Sequence, residues 1–275
     1  MAMAMDTVMD TMMIKNNIQG FISHNPLYRT LLDKFSTYLP QNEFKNHITI
    51  DLHSHLLPGI DDGVRTIDES IKIIKKFKAL GYTKLITTPH IISDSYPNTK
   101  TIIEENLKMV KNAIKEEGID IEIEAGAEHY VDMEFLADIK ADRLVPFCDK
   151  YILFETSYIS KPMILEQAIF DMQSKGYVPV LAHPERYRYM QNDIESYVKL
   201  KDLGVLFQMN IKSLRNTSNI IYKVSLKLMK LGLIDFIGSD AHRMRDMNDL
   251  ERIVEDKTYQ LIFENNKILN MSKLV

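Results

Sequence analysis

Five glycines fall at one kind of place in this chain. Gly81, Gly118, Gly176, Gly204 and Gly232 each close a helix-patterned stretch just before a short apolar run. A helix C-terminus favours a residue that accepts a left-handed backbone there. The helical patterns cover residues 67–80, 101–117, 133–139, 165–175, 194–203 and 220–231, and the apolar runs cover 48–52, 84–88, 119–125, 151–155, 178–182, 205–209 and 235–237. Strands that alternate with helices imply parallel pairing through βαβ units. Seven strands with six intervening helices lie one unit short of the eight-fold α/β barrel. The alternative, a doubly wound open sheet, predicts a glycine-rich phosphate loop after the first strand; neither G-x-G-x-x-G nor a P-loop occurs in the chain.

A chain of 275 residues, 45% hydrophobic, is long enough for one barrel and buries a core without staples. The net charge of −4 argues against a general nucleic-acid or anionic-membrane binder. The single cysteine, Cys148, excludes an intrachain disulfide and fits a reducing compartment. No apolar run approaches the roughly 20 residues that span a bilayer. The first residues carry two acids and no basic stretch, unlike a signal peptide. The expectation is a cytoplasmic protein with no direct membrane insertion. Residues 1–46 differ from the rest: Met-rich, then polar, without the strand–helix alternation. Met5, Met9, Met12 and Met13 share one face at helical spacing. This segment is read as an N-terminal extension to a main domain at 47–275. It is either disordered or a short helix packing on the body or on a partner subunit, which leaves a homo-oligomer open.

Chemistry gathers at the strand ends. The first strand runs into His53 and His55, two imidazoles at alternate positions that a β-strand would aim to one side, followed by Asp61 and Asp62. The second ends at His90, the third at Glu128, the fourth at Glu155, the fifth at His183, the sixth at Asn210, and the seventh at Asp240 and His242. A barrel places its active site on that face. His24, His47 and His129 fall elsewhere. One histidine at a strand end is ordinarily structural; five, with several carboxylates at matching depth, would crowd a single mouth. Unpaired carboxylates repel there, and buried charge is costly. Divalent cations relieve that conflict, so the pattern predicts a polynuclear metal site. Nitrogen and oxygen donors without thiolate suit Mn²⁺, Fe or Zn²⁺, and the imidazoles are too many for Ca²⁺ or Mg²⁺.

The motifs His53-Ser54-His55, Asp62-Gly63, Thr88-Pro89-His90, Gly126-Ala127-Glu128, His183-Pro184-Glu185-Arg186-Tyr187 and Ser239-Asp240-Ala241-His242 resemble, in order, those of the PHP (polymerase and histidinol phosphatase) superfamily. The run from Asp51 to Gly63 is similar to that of the bacterial PHP-type protein-tyrosine phosphatases of capsule and exopolysaccharide loci. The resemblance covers about residues 47–270. It implies a distorted (β/α)7 TIM-like barrel holding three divalent ions, typically manganese. By motif, their ligands would be His53, His55, Asp62, His90, Glu128, Glu155, His183, Asp240 and His242, with Glu128 bridging two ions. It also implies a partner, a phosphotyrosine-bearing bacterial autokinase that controls polysaccharide export.

Within that expectation Arg186 is the phosphate clamp, because a guanidinium fork matches phosphate geometry. Arg245 is taken ahead of Arg243 as a second substrate arginine, although the loop after His242 is shorter than the family pattern. His242 or Asp62 would supply or relay a proton to the phenolate, whose pKa of about 10 makes it a fairly good leaving group. Asp61 is read as a loop residue supporting the ligands rather than as a ligand. Asn210 is read as orienting water or substrate, or as capping its loop.

Rival chemistries find less support. A cysteine phosphatase needs C-x5-R, and six residues after Cys148 stands Phe154. The glycine-rich loop and H-R-D signature of a protein kinase are absent. Histidinol-phosphate phosphatase, from the same superfamily, is the nearer enzyme alternative. An amidohydrolase also begins with H-x-H but uses a metal-bridging lysine, and no lysine is expected at a strand end here, Lys150 lying at the start of the fourth strand. A non-catalytic metal-binding module that docks a kinase tail is the alternative of another class.

Overall fold

The computed structural model describes residues 48–274. The extension expected at 1–46, with its methionine face, lies outside the described residues.

The strands are β1 (Ile50–Leu52), β2 (Lys84–Thr87), β3 (His90–Ile91), β4 (Glu122–Ala125), β5 (Glu128–Tyr130), β6 (Tyr151–Glu155), β7 (Val178–Ala182), β8 (Leu206–Asn210) and β9 (Phe236–Gly238). All pair in parallel, in the orders β1-β2-β4 and β3-β5-β6-β7-β8-β9. β2 and β3 are one stave interrupted at Thr88-Pro89, and β4 and β5 are one stave interrupted at Gly126-Ala127. Seven staves result, as the sequence pattern expects. The two interruptions were not expected, and they re-aim the chain just before His90 and Glu128.

The intervening helices are α1 (Ile67–Ala79), α2 (Lys100–Glu116), α3 (Met133–Lys140), α4 (Leu165–Ser174), α5 (Ile194–Asp202) and α6 (Ile220–Lys230). Their starts are chemically marked. Thr66, Thr99, Asp132 and Asp193 each accept a hydrogen bond from the backbone N–H three residues on. The five punctuating glycines all have positive φ, between 62° and 91°. Three further helices follow β9: α7 (Met244–Val254), α8 (Lys257–Asn265) and α9 (Asn270–Lys273). None of them is long and apolar enough to cross a membrane, nor is any other helix among the described residues.

Two hydrophobic clusters define the layers. Ile50, Leu52, Ile86, Leu153, Val180, Ala182 and Phe236 form a lumen cluster with Phe147, Tyr151 and Leu274. Their neighbours in sequence, Leu85, Ile152, Phe154, Leu181 and Ile237, belong to the outer cluster that packs against the helices. Alternation along parallel strands covered on their outer face produces this division.

The seam between β9 and β1 closes the ring through side chains as well as backbone. Asp51 accepts from Ser239 N at 2.8 Å and Ser239 Oγ at 2.9 Å. Asn270 donates to the carbonyls of Ile50 (3.0 Å) and Ile237 (2.8 Å) and accepts from Ile237 N. Gly238 sits where a Cβ would stand 1.7 Å from the Leu52 carbonyl oxygen, so only glycine allows the approach.

Candidate metal centre

Glu128 lies at the centre of the polar mouth. Its Oε2 is 3.1 Å from His53 Nε2, 3.2 Å from His90 Nδ1 and 3.5 Å from His55 Nε2, while Oε1 is 2.8 Å from His183 Nε2. Glu155 Oε1 stands 3.4 Å from His90 Nδ1. Asp62 Oδ1 lies 3.2 Å from His242 Nε2 and 3.4 Å from His90 Nε2. Asp240 Oδ1 faces His242 Nδ1 at 3.3 Å and His53 Nε2 at 3.5 Å. All nine residues expected as ligands therefore meet in one place. Three overlapping groups have the compactness a metal ion needs: His55, Asp62, His90 and His242; His53, His55 and Glu128; His90, Glu128 and Glu155. The site is graded from a buried floor at His53, His55 and Glu128 to an open side, where Asp62 is 50% exposed.

The route to this convergence is not simple strand alternation. Leu52 faces the lumen, so the parity of β1 would turn His53 away. His53 instead takes φ 84°, in the left-handed region, beyond the end of the strand. His183 follows lumen-facing Ala182 in the same way, with φ 34°, and Asp240 has φ 49°. Each costs of order 1–3 kcal/mol and is held by its neighbour. His53 N donates to Ile86 O, His183 N to Gln208 O and Asp240 N to His53 O. Three of the six non-glycine residues with positive φ among the described residues are thus candidate ligands, the others being Asp142, Cys148 and Asp149.

The imidazoles are oriented from behind. His55 Nδ1 donates to Asp61 Oδ2 at 2.7 Å, since a carboxylate only accepts, and in the neutral ring, the form that binds a metal, Nε2 then has its lone pair toward the centre. Asp61 also accepts from Gly63 N and His90 N, so it fastens the loop and supports a ligand, as expected. His53 Nδ1 meets Gln208 Oε1 at 2.7 Å, Gln208 Nε2 donates to Asn210 Oδ1, and Asn210 Nδ2 donates to Asp240 Oδ2. This amide relay ties two candidate ligands together. Gln208 gave no signal in the sequence beyond being polar inside an apolar strand, and Asn210 acts within the relay.

The electrostatics ask for cations. Burial and the Glu128 charge push Glu155 up to about 7, a sign of two carboxylates in conflict. Burial, with the Arg186 guanidinium, holds His183 down to about 4, so its imidazole is neutral and has a lone pair to give. His55 Nε2, His90 Nδ1 and His183 Nδ1 are buried and lack hydrogen-bond partners within the described residues. The first two stand beside the Glu128 carboxylate, an arrangement that fits divalent ions, whereas His183 meets Glu128 through Nε2. His129 Nδ1 is unpartnered as well, but no ion pair with a carboxylate reaches this ring among the described residues; its Nε2 accepts from Val145 N, and burial holds it at about 4, a neutral core histidine.

The motif His183–Tyr187 divides its labour. Arg186 Nη1 donates to Asp240 Oδ2 at 3.2 Å, and its guanidinium lies 4.6 Å over the Tyr158 ring. Glu185 points elsewhere: fully buried, it accepts from Asn210 N and Ser213 Oγ. Tyr187 OH donates to Ala182 O. Tyr158, which also donates to Glu155 Oε2, is a site residue the sequence did not reveal. Arg186, Arg245, Arg243 and Lys212 all line a cavity of about 270 Å³ over the metal-type cluster. The Arg245 side chain is 79% exposed at the rim, beside Asp246, and Arg243 donates to the Asp62 carbonyl. Lys212, two residues past β8, also reaches the mouth and is a site residue the sequence did not reveal. Its signal was hidden because it lies beyond the strand, in the one-turn 3-10 segment Ile211–Leu214.

A family model described as capsular polysaccharide synthesis, CpsB/CapC, matches residues 49–274. The tyrosine-protein phosphatase YwqE of Bacillus subtilis is 32% identical over 201 residues, which is 72% of this chain and 79% of that protein. The tyrosine-protein phosphatase CpsB of Streptococcus agalactiae is 26% identical over 202 residues, covering 71% and 83%. Among solved structures, a chain from work on YwqE of B. subtilis and CpsB of Streptococcus pneumoniae, described as unique metal-dependent tyrosine phosphatases, superposes with a TM-score of 0.70. It is 28% identical and covers 82% of this chain and 94% of its own length. An amidohydrolase from Mycoplasma synoviae, 12% identical, superposes at 0.50 over 84% of this chain and 88% of its own. That second likeness is one of fold alone.

Proposed function

Because the chain belongs to the CpsB/CapC family of capsular polysaccharide synthesis, we propose that it is a metal-dependent protein-tyrosine phosphatase. The observation that carries the reading is the convergence of eight nitrogen- and oxygen-bearing side chains around Glu128, in a mouth that the Arg186 guanidinium also lines. The substrate is a phosphotyrosine on a bacterial tyrosine autokinase that governs capsule or exopolysaccharide synthesis. The catalytic unit runs over residues 47–275, with 1–46 appended, and acts in the cytoplasm.

His53, His55, Asp62, His90, Glu128, Glu155, His183, Asp240 and His242 would hold the ions, with Glu128 at the centre of the set. We assign three ions, with Mn²⁺ ahead of Fe or Zn²⁺. When bound, such ions make water a nucleophile near neutral pH and offset charge on phosphoryl oxygens. The chain's own residues do the rest. Arg186, held by Tyr158 and Asp240, offers a fork to non-bridging oxygens and orients the phosphorus for in-line attack. Asp61 and Gln208 keep the His55 and His53 rings aimed at the centre. His242 and Asp62 lie toward the open side, where the phenolate departs; phenolate leaves without strong acid assistance, so proton delivery by either is secondary to holding an ion. Arg245 at the rim meets the peptide that carries the phosphotyrosine.

The test is turnover of a phosphotyrosyl peptide and of histidinol phosphate, before chelation, after it, and with Mn²⁺ restored. The expected outcome is peptide hydrolysis that chelation abolishes and Mn²⁺ recovers. Metal-independent turnover, or preference for histidinol phosphate, overturns the proposal.

A further inference from the structure

The two oxygens of Asp240 keep different company. Oδ1 faces His242, His53 and His55 at 3.3–3.6 Å. Oδ2 receives Asn210 Nδ2 at 2.7 Å, Lys212 Nζ at 2.8 Å and Arg186 Nη1 at 3.2 Å. Three donors on one oxygen exceed what that oxygen requires, and the neutral Asn210 amide already supplies a short bond. Two full cations have therefore been brought to the edge of one carboxylate, on the side facing the cavity that both line.

Lys212 has capacity to spare. Its ammonium carries three hydrogens. Two are accounted for, by Asp240 Oδ2 and the Asp240 carbonyl at 2.6 Å, and no third partner occurs among the described residues. The side chain is 30% exposed, as Arg186 is at 32%. Lysine is a mobile point charge on a flexible stem, able to shift from a carboxylate to an arriving anion. The other cations at the mouth are placed differently: Arg243 is committed to the Asp62 carbonyl, and the Arg245 side chain projects into solvent.

We propose that Lys212 is a second phosphate-binding residue, which together with Arg186 grips the phosphoryl oxygens of the substrate. The assignment rests on the phosphatase reading above and adds to it a specific residue from the turn after β8. Asp240 serves as the resting partner for both cations and keeps them at the cavity edge until a phosphate arrives.

The decisive comparison uses the full, metal-loaded chain and its Lys212→Met, Lys212→Gln and Lys212→Arg variants. Affinity for inorganic phosphate is measured by calorimetry, alongside metal per chain, the melting temperature, and KM and kcat on a phosphotyrosyl peptide. Loss of a charge-assisted hydrogen bond should weaken phosphate binding about tenfold or more in Lys212→Met and Lys212→Gln. KM should rise in parallel at parental metal content, and Lys212→Arg should retain most of the affinity. Unchanged phosphate affinity in the folded neutral variants overturns the proposal. So does a loss explained wholly by missing metal, which would make Lys212 a support for Asp240. If the parent binds metal and phosphate but does not hydrolyse phosphotyrosine, the phosphatase reading fails on its own, and the phosphate affinities still decide the role of Lys212.

Discussion

Asp240 N–H donates to the carbonyl of His53 at 2.7 Å, and both residues have left-handed backbones, φ 49° and 84°. The bond joins the end of β9 to the end of β1, the two staves that close the ring. Next to it, His55 N donates to Ala241 O at 2.9 Å. Closure of the barrel and assembly of the mouth are thus one event, because the backbone contacts that seal the seam position His53, His55 and Asp240. Strain of this kind persists only where the surroundings over-determine it, and here the neighbouring strands do so.

Gly238 should be intolerant of any side chain for that reason. A Cβ there would stand 1.7 Å from the Leu52 carbonyl oxygen, a backbone atom that cannot swing aside. Gly238→Ala should cost more than about 3 kcal/mol, above the ordinary range for overpacking. It should also lower metal content together with the thermal midpoint. A soluble variant with parental melting temperature would show that the seam opens more easily than this geometry allows.

The alternation of helices, glycines and apolar runs was enough to read seven staves and six helices, because burial on both strand faces and helix C-caps leave local marks. The breaks at Thr88-Pro89 and Gly126-Ala127 leave local marks, since proline lacks the N–H a ladder needs and glycine weakens a strand; that each stave resumes beyond its break, at His90 and Glu128, was not legible, because it depends on pairing across strands. The ligand types were legible through their strand-end positions. The reason His53 reaches the site was not: parity along β1 would turn it outward, and only a left-handed residue, set by the seam, corrects it. Gln208 and Lys212 escaped notice because their roles depend on pairing across strands, with His53 and Asp240, rather than on spacing along the chain. The stripe Met247, Leu250, Ile253 and Val254 that buries α7 was present in the sequence, but it follows the last strand, where a barrel pattern no longer demands a helix.

Arg186→Ala should lower kcat/KM on an aryl phosphate by about 10²–10³, the usual loss for a preorganised group that stabilises transition-state charge. Metal per chain should stay at the parental value, because Asp240 Oδ2 keeps Asn210 and Lys212 as donors. Metal analysis beside steady-state kinetics checks this. Metal loss in step with activity would make Arg186 a structural partner of Asp240 and nothing more.

Asp61→Asn should weaken metal binding by about 10- to 100-fold, the common penalty for losing the group that orients a ligating histidine. The carboxylate accepts from His55 Nδ1, His90 N and Gly63 N, so it sets the ring's tautomer and the loop's path together. An amide keeps the shape but can turn its NH₂ toward His55 and loses the charge that raises the basicity of the imidazole. Competition against a chromophoric chelator measures the change. Parental affinity in the variant would mean that the loop alone holds His55.

Cys148 separates this chemistry from that of a thiol phosphatase. Burial, with nearby Glu124, raises its pKa, while Lys84, at the start of β2 and so at the end of the barrel opposite the mouth, opposes the shift. A raised thiol pKa means less thiolate at neutral pH, and thiolate is the reactive form. Alkylation by iodoacetamide should therefore be slow at pH 7 and accelerate as pH rises through and above the ordinary thiol range. Cys148→Ala, or the fully alkylated chain, should keep metal-dependent turnover within about twofold, since a surface-proximal packing residue far from the site has little to contribute. Rate of modification followed by mass spectrometry, with activity assayed on the same samples, tests both halves. Inactivation that tracks alkylation, in a chain that stays folded and metal-loaded, would assign the sulfur a role that neither its position nor its surroundings supports.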